Sequence, residues 1–292
     1  MSMAGLVPAS APVRKKRRAG SEYLVAAICV AVMLVMLWPL AMSFLASIKP
    51  PPEAASPPPH YLPRSLSIAN YAAMATYHKG IWVYTANSLS VAAMTIAMCL
   101  VLAVPAGYGL ARFPVPGKDL WFLLLLASMM VPYQALLVPL YLMFAKLGLT
   151  ASQFGLAILH TILQLPFSIN LMRNSFEAVP REMDEAALVD GASSLFTLRR
   201  VFLPLVMPGM VTVALFAFVT SWNEFLGALI MMNSEDSFTV PIMLTGVVSG
   251  DFGSVNWGGL QASVIVSMLP CLLVYVLLQK YYVSGFLSGA VK

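Results

Sequence analysis

Six long apolar runs dominate the chain. Each is long enough to cross a hydrocarbon core, which takes about 20 helical residues. They cover about residues 23–48, 85–111, 120–145, 154–172, 201–232 and 260–283. The fourth is the weakest, because His160, Gln164 and Pro166 interrupt it. The pattern predicts an all-α integral membrane protein with six transmembrane helices. The first run follows a basic cluster, as a signal peptide would. Its apolar stretch of about 26 residues is too long for a signal core of about 7–15, and no clear small-x-small site precedes Lys49, so it is expected to be a retained helix.

The connections differ in character. Residues 49–80 carry KPPPEAASPPPHYLPRS, which cannot be one helix and is expected to be an extended tether. Residues 233–256 read as a loop rich in Gly, Ser and Asp, and 112–119 (RFPVPGKD) as a tight turn. A further connection, about 173–200, lies between the fourth and fifth runs.

Composition agrees with a bilayer as solvent. Hydrophobic residues are 60% and charged residues 10%, against about 45–50% and about 25% in soluble domains. The net charge of +5 does not point to nucleic acid, because its basic residues are not gathered into a patch on a folded domain. Five form the run Arg14–Arg18 and the rest flank apolar segments. With the N-terminus in the cytoplasm, 13 Lys and Arg fall inside and four (Lys49, Arg64, Lys79, Lys146) outside. That asymmetry predicts cytoplasmic N- and C-termini. Residues 1–21 then form a basic cytoplasmic extension and 22–292 the transmembrane domain.

Several chemistries find no support. Cys29, Cys99 and Cys271 sit in apolar runs without CxxC spacing and are expected to be small buried hydrophobes. His60, His78 and His160 show no ligand spacing, so no metal site is expected. Gly107-Tyr108-Gly109 matches a potassium filter by letters alone and lacks the flanking Thr-Val.

The 173–200 connection is the most informative part. Pro180 suits a first helical turn, and Arg181, Glu182, Asp184 and Glu185 follow it, acids that suit the positive end of a helix dipole. Gly191 is a helix stop, and Ser193 or Ser194 a cap for a second short helix containing Arg199 and Arg200. The first helix has a small-residue face (Ala186, Ala187, Gly191, Ala192) suited to a groove on another protein, with Glu182 and Glu185 on one side. An ordinary surface helix with solvated charges is the alternative.

Polar residues inside the fifth run also stand out. Glu224 lies in the outer part of the fifth run; a charged residue near mid-bilayer costs about 2.5–3.5 kcal/mol, so it is expected to face protein or a watery path. Trp222, Asn223 and Glu224 either contact a solute or fix the helix against a partner. Tyr133, Gln134, Gln164 and Asn170 are further path candidates. Pro132, Pro139 and Pro166 free backbone groups that are tolerated only beside protein or water.

With these motifs in hand, the chain resembles the permeases of ABC importers. EAALVDGASSLFTLRRVFLP looks like their "EAA" loop, with Gly191 six residues after Glu185 and Leu203-Pro204 closing it. Ala69-Asn70-Tyr71, Asn87-Ser88-Leu89, Tyr108–Phe113 with Pro116-Gly117-Lys118, Ser221–Phe225 and the terminal Gly285–Lys292 resemble the smaller maltose-type subunit of the sugar branch. The proline-rich strip and the basic extension depart from it. The resemblance implies a bacterial inner-membrane permease subunit of a binding-protein-dependent sugar importer. It implies as partners a second related permease, two copies of a cytoplasmic ATPase carrying ATP and Mg, an extracytoplasmic sugar-binding protein and membrane lipid. The docking helix would present Glu182, Glu185, Ala186, Ala187, Asp190, Gly191 and Ala192 to the ATPase. No cofactor is implied on this chain, which has no GxxxxGK[ST] loop and neither a GxSxG nor an HExxH motif. The alternative is a self-contained secondary carrier or channel, for which the sequence offers no convincing inverted repeat.

Overall fold

The computed structural model describes residues 19–56, 60–249 and 255–290, with side chains described for 22–56, 60–249 and 255–279. The basic run Arg14–Arg18, Lys292 and the side chains of the terminal Gly285–Ala290 motif lie outside the described residues. The described residues contain helices and no strand.

The helices are α1 (Ala19–Ser47), α2 (Pro51–Ala54), α3 (Ala69–Ala75), α4 (Ile81–Arg112), α5 (Lys118–Ser128), α6 (Tyr133–Lys146), α7 (Gln153–Glu177), α8 (Glu182–Val189), α9 (Ser194–Thr197), α10 (Leu203–Asn223), α11 (Leu226–Met231), α12 (Val240–Ser249) and α13 (Trp257–Ala290). Two bodies are distinguished. Of the described residues, those up to Ser43 form one, which is most of α1, a continuous apolar helix. Phe44 onward forms the other.

Among the described residues, four helices (α1, α4, α7 and α13) are long and apolar enough to cross a membrane alone, and the count rises to six when two bent pairs are each taken as one span. The third predicted run is one such pair: α5 and α6 meet at 98°, at the break before Pro132. The fifth bends by 77° between Leu205 and Met207. Pro208 explains it, since its ring excludes the carbonyl of residue 204 from helical bonding.

Three helices make the centre of the second body. α4, α7, α10 and the turn that enters α10 bury Cys99, Ala103, Tyr108, Met172, Phe176, Phe202, Val213 and Ala217 in one cluster. Gly107 is the contact point between α4 and α7. A Cβ there would stand 2.7 Å from the Met172 Cβ and 2.8 Å from the Arg173 amide nitrogen. The glycine of the Gly-Tyr-Gly letters thus serves helix packing.

Three expectations are corrected. The proline-rich strip is not a plain tether: it holds α2, its Glu53 carboxylate accepts from the Arg64 amide at 3.0 Å, and Lys49 donates to the His60 carbonyl. Buried Asn70 on α3 donates to the carbonyls of Ser47 and Lys49 at 2.9 and 2.7 Å, fastening the strip's start. The 233–256 loop contains α12, which buries Val240, Ile242, Met243 and Val247. Among the cysteines Cys99 is buried, but Cys29 is exposed.

Candidate functional site

The 177–202 segment builds two short helices, as expected. The carbonyl of Arg181 accepts from the amides of Asp184 and Glu185, starting α8 with three acids in its first turn. Gly191 ends it at φ +70°, a left-handed value that favours glycine. Ser193 caps α9 by accepting from the Phe196 amide at 3.4 Å. α9 then runs through a π-helical turn (Leu198–Phe202) into α10, so Arg199 and Arg200 lie on a continuous helical entry rather than a separate helix.

The faces of α8 differ in part from expectation. Glu182, Glu185, Ala186, Asp190 and Gly191 are exposed, and Ala192 is half-buried. Ala187 points inward and is buried, so it belongs to the packing side. The exposed side also carries Leu188 and Val189, 75% and 88% exposed, which sequence reasoning did not single out. Two apolar positions after Glu-Ala-Ala were the available signal. Hollows of about 320 and 480 Å³ flank the loop. The larger is lined by Ala187, Asp190, Gly191, Ala192, Phe196 and Val201 among others.

Beneath α8 lies Arg112, the last residue of α4, with a side chain 6% exposed. It donates to the Asp184 carboxylate at 2.8 Å and to the carbonyls of Phe176 and Val179. Its guanidinium sits 4.9 Å from the Phe202 ring centroid.

A second polar centre lies where α10 breaks before α11. Glu224, its side chain 7% exposed, accepts four bonds. Oε1 takes the Tyr133 hydroxyl and the Gly227 amide, both at 2.7 Å; Oε2 takes the Ala228 amide at 2.9 Å and His160 Nε2 at 3.1 Å. The other ring nitrogen, Nδ1, meets Ser221 Oγ at 2.8 Å. Glu224 therefore satisfies two amides that the helix break leaves free and ties α6, α7 and α10 together. His160 was not expected here; a second ionisable residue inside an apolar run was the available signal.

The solute-path candidates divide accordingly. Tyr133 and Glu224 have internal partners. Trp222 is buried, stacked on Phe218 with centroids 5.6 Å apart, and donates to the Ser267 carbonyl at 3.2 Å, so it packs α10 against α13. Gln134 and Asn223 are exposed and Asn170 is half-buried. Gln164 is buried; its Oε1 accepts from Thr220 at 3.2 Å, while its Nε2 donor has no partner. Among the described residues no group of His, Cys, Asp and Glu could hold a metal ion.

Comparison with known proteins joins these features to a family. Residues 103–287 match the family described as binding-protein-dependent transport system inner membrane component. The diacetylchitobiose uptake system permease protein DasC of Streptomyces coelicolor is 31% identical over 265 residues, covering 90% of this chain and 94% of that protein. The arabinooligosaccharides transport system permease protein AraQ of Halalkalibacterium halodurans is 27% identical, covering 89% and 93%. A chain of a bacterial ABC transporter involved in the import of the acidic polysaccharide alginate superposes with TM-score 0.78 at 24% identity, over 91% of this chain and 98% of that one, a likeness of fold. The chain belongs to the family of inner-membrane components of binding-protein-dependent transport systems: it is a multi-pass, non-enzymatic ABC importer permease that works with a separate ATPase and a solute-binding protein.

Proposed function

We propose that this chain is one of two related permeases of an importer for oligosaccharides, with α8 and its flanks as the face on which the ATPase docks. The carrying observation is the surface of α8. Leu188 and Val189 stand largely exposed beside the carboxylates of Glu182 and Glu185, which have no bonded partner among the described residues, on a loop where apolar exposure invites a partner. A groove with apolar walls and a basic rim fits that surface. Glu185 would meet a basic residue there, and Gly191 would permit the turn beside it. ATP and Mg would sit on the ATPase and no cofactor on this chain. The charge asymmetry supports cytoplasmic termini and loop.

Sugar as the solute class is supported by two relatives, named for diacetylchitobiose and for arabinooligosaccharides. Gln134, Gln164, Asn170 and Asn223 supply hydroxyl-matching groups along α6, α7 and α10, and the unpartnered Gln164 amide is a donor in want of an acceptor.

The test is a pull-down of the tagged chain from its native membrane with mass spectrometry. It is followed by uptake of labelled diacetylchitobiose and arabinooligosaccharides into vesicles holding the recovered complex, with and without ATP. A second permease, an ATPase and ATP-dependent uptake are expected. A chain recovered alone and active without ATP would put a self-contained carrier in its place.

A further inference from the structure

The ATPase-facing helix has one side-chain tether. Among the described residues, Asp184 is the only side chain of α8 that makes a hydrogen bond or ion pair, and Ala187 is its only buried residue. The tether ends on Arg112, which is itself held from three sides. It binds the Phe176 and Val179 carbonyls where α7 ends, and it lies over Phe202 at the entry to α10. Only a planar fork with several donors meets a carboxylate and two carbonyls at once; a lysine ammonium does not reproduce that geometry.

Arg112 terminates α4, and α4 is fastened at its far end too. Asn87 donates to the carbonyls of Asp236 and Phe238 at 2.8 and 3.0 Å. Ser88 accepts from the Val240 amide at 2.9 Å. One 32-residue helix, about 48 Å long at the usual rise per residue, thus has α8 clasped to one end and the 236–240 segment clasped to the other.

We propose that the Arg112–Asp184 pair is the clasp that passes movement of α8 to α4, and along α4 to the 236–240 segment on the opposite face. Arg112 and Asp184 are positioning residues that act through α4. The inference rests on the reading of α8 as the ATPase's docking helix. The pair transmits both push and pull, because Arg112 is buried and separating it from the half-buried Asp184 leaves its charge without the one carboxylate that meets it. Exposed contacts along the rest of α8 are left for the ATPase.

The experiment uses the whole complex in lipid nanodiscs. Hydrogen exchange of residues 234–240 is measured without nucleotide and with MgATP plus vanadate. The wild type is expected to show a nucleotide-dependent difference there. Asp184→Ala is expected to keep the ATPase bound and hydrolysing while that difference shrinks about fivefold or more, the lower end of usual coupling between sites. Arg112→Lys should behave like Asp184→Ala, and Asp184→Glu should recover part of the difference, which a role in folding alone would not produce. An undiminished difference in Asp184→Ala would overturn the clasp. Loss of the ATPase from that variant would also overturn it, making Asp184 a docking residue. A wild-type chain that brings down no ATPase would remove the docking reading itself.

Discussion

Glu185 and Glu224 are two carboxylates in opposite circumstances. Glu185 stands on α8, exposed, with no bonded partner among the described residues. Glu224 lies inside the membrane domain with four donors on its two oxygens. The difference follows from the solvent. At an aqueous face an unpaired charge is hydrated and remains available to another protein. In a bilayer the same charge has to find all its partners within the chain, or be excluded. On the proposed reading the bare carboxylate in the loop is a recognition element, whereas the saturated one in the span holds helices together.

The comparison is most directly broken at Glu224. Glu224→Leu strands His160, Tyr133 and two amides in a dry site. Removing one partner of a buried charged cluster costs about 3–5 kcal/mol, so a large drop in detergent melting temperature and poor recovery are expected. Recovery and melting like the wild type would mean that the four bonds hold nothing together. Next in size is the loop. Val189→Asp should leave melting unchanged while ATPase co-purification falls. A docking side chain of this kind carries about 2 kcal/mol, roughly 30-fold in affinity. Glu185→Lys should act in the same direction with a smaller effect. Unchanged ATPase recovery in both would return α8 to the status of a solvated surface helix.

How much of this was legible in the sequence follows the same division. The two short loop helices, the stop at Gly191 and the cap at Ser193 depend on neighbours in sequence and could be read directly. So could the existence of the apolar spans, which composition alone sets. The bent pairs were only half legible: Pro132 and Pro208 announce a break, but no local signal gives angles of 98° and 77°. The inward turn of Ala187 depends on which side of α8 meets Arg112, a residue 72 positions from Asp184. His160 finds Glu224 across 64 positions, and Trp222 finds Ser267 across 45. Side chains that a sequence marks as polar or aromatic become packing or path residues only through such pairings. For that reason Trp222, left open by the sequence between solute contact and structure, is buried against α13. α12 was hidden by the Gly, Ser and Asp around it, although its own Val-Pro-Ile-Met-Leu start is apolar.

Gly191 tests the loop more gently. Its φ of +70° disfavours any other residue, yet no atom lies within 4 Å of where its Cβ would be. Gly191→Ala should therefore cost about 1–2 kcal/mol of local strain and no clash. The expected readout is a modest weakening of ATPase docking at unchanged melting temperature. Gly191→Phe adds bulk on the partner's side and should lower solute uptake per ATP hydrolysed more than alanine does. Equal effects of the two would show that backbone strain alone matters there.

The smallest effect is expected at a third charged site, paired but not buried. Lys79 Nζ lies 2.8 Å from Asp236 Oδ1, and both side chains are largely exposed. The hydrogen bond to Asp236 and its charge raise the Lys79 pKa above the ordinary lysine value. For a lysine raised on folding, the contribution is complete below the unfolded pKa and is lost only as pH climbs through the folded one. It is therefore constant across neutral pH and disappears only under strongly alkaline conditions. Water and salt screen such a pair, so Lys79→Ala should leave the melting temperature unresolved from the wild type between about pH 6 and 8. The segment around it is held instead by Asn87 through the carbonyls of Asp236 and Phe238. Asn87→Ala should loosen that segment where Lys79→Ala does not, as hydrogen exchange at 234–240 would read. If the two variants ranked the other way, an exposed pair would outweigh a shielded one, and burial would no longer separate the structural carboxylate from the free one.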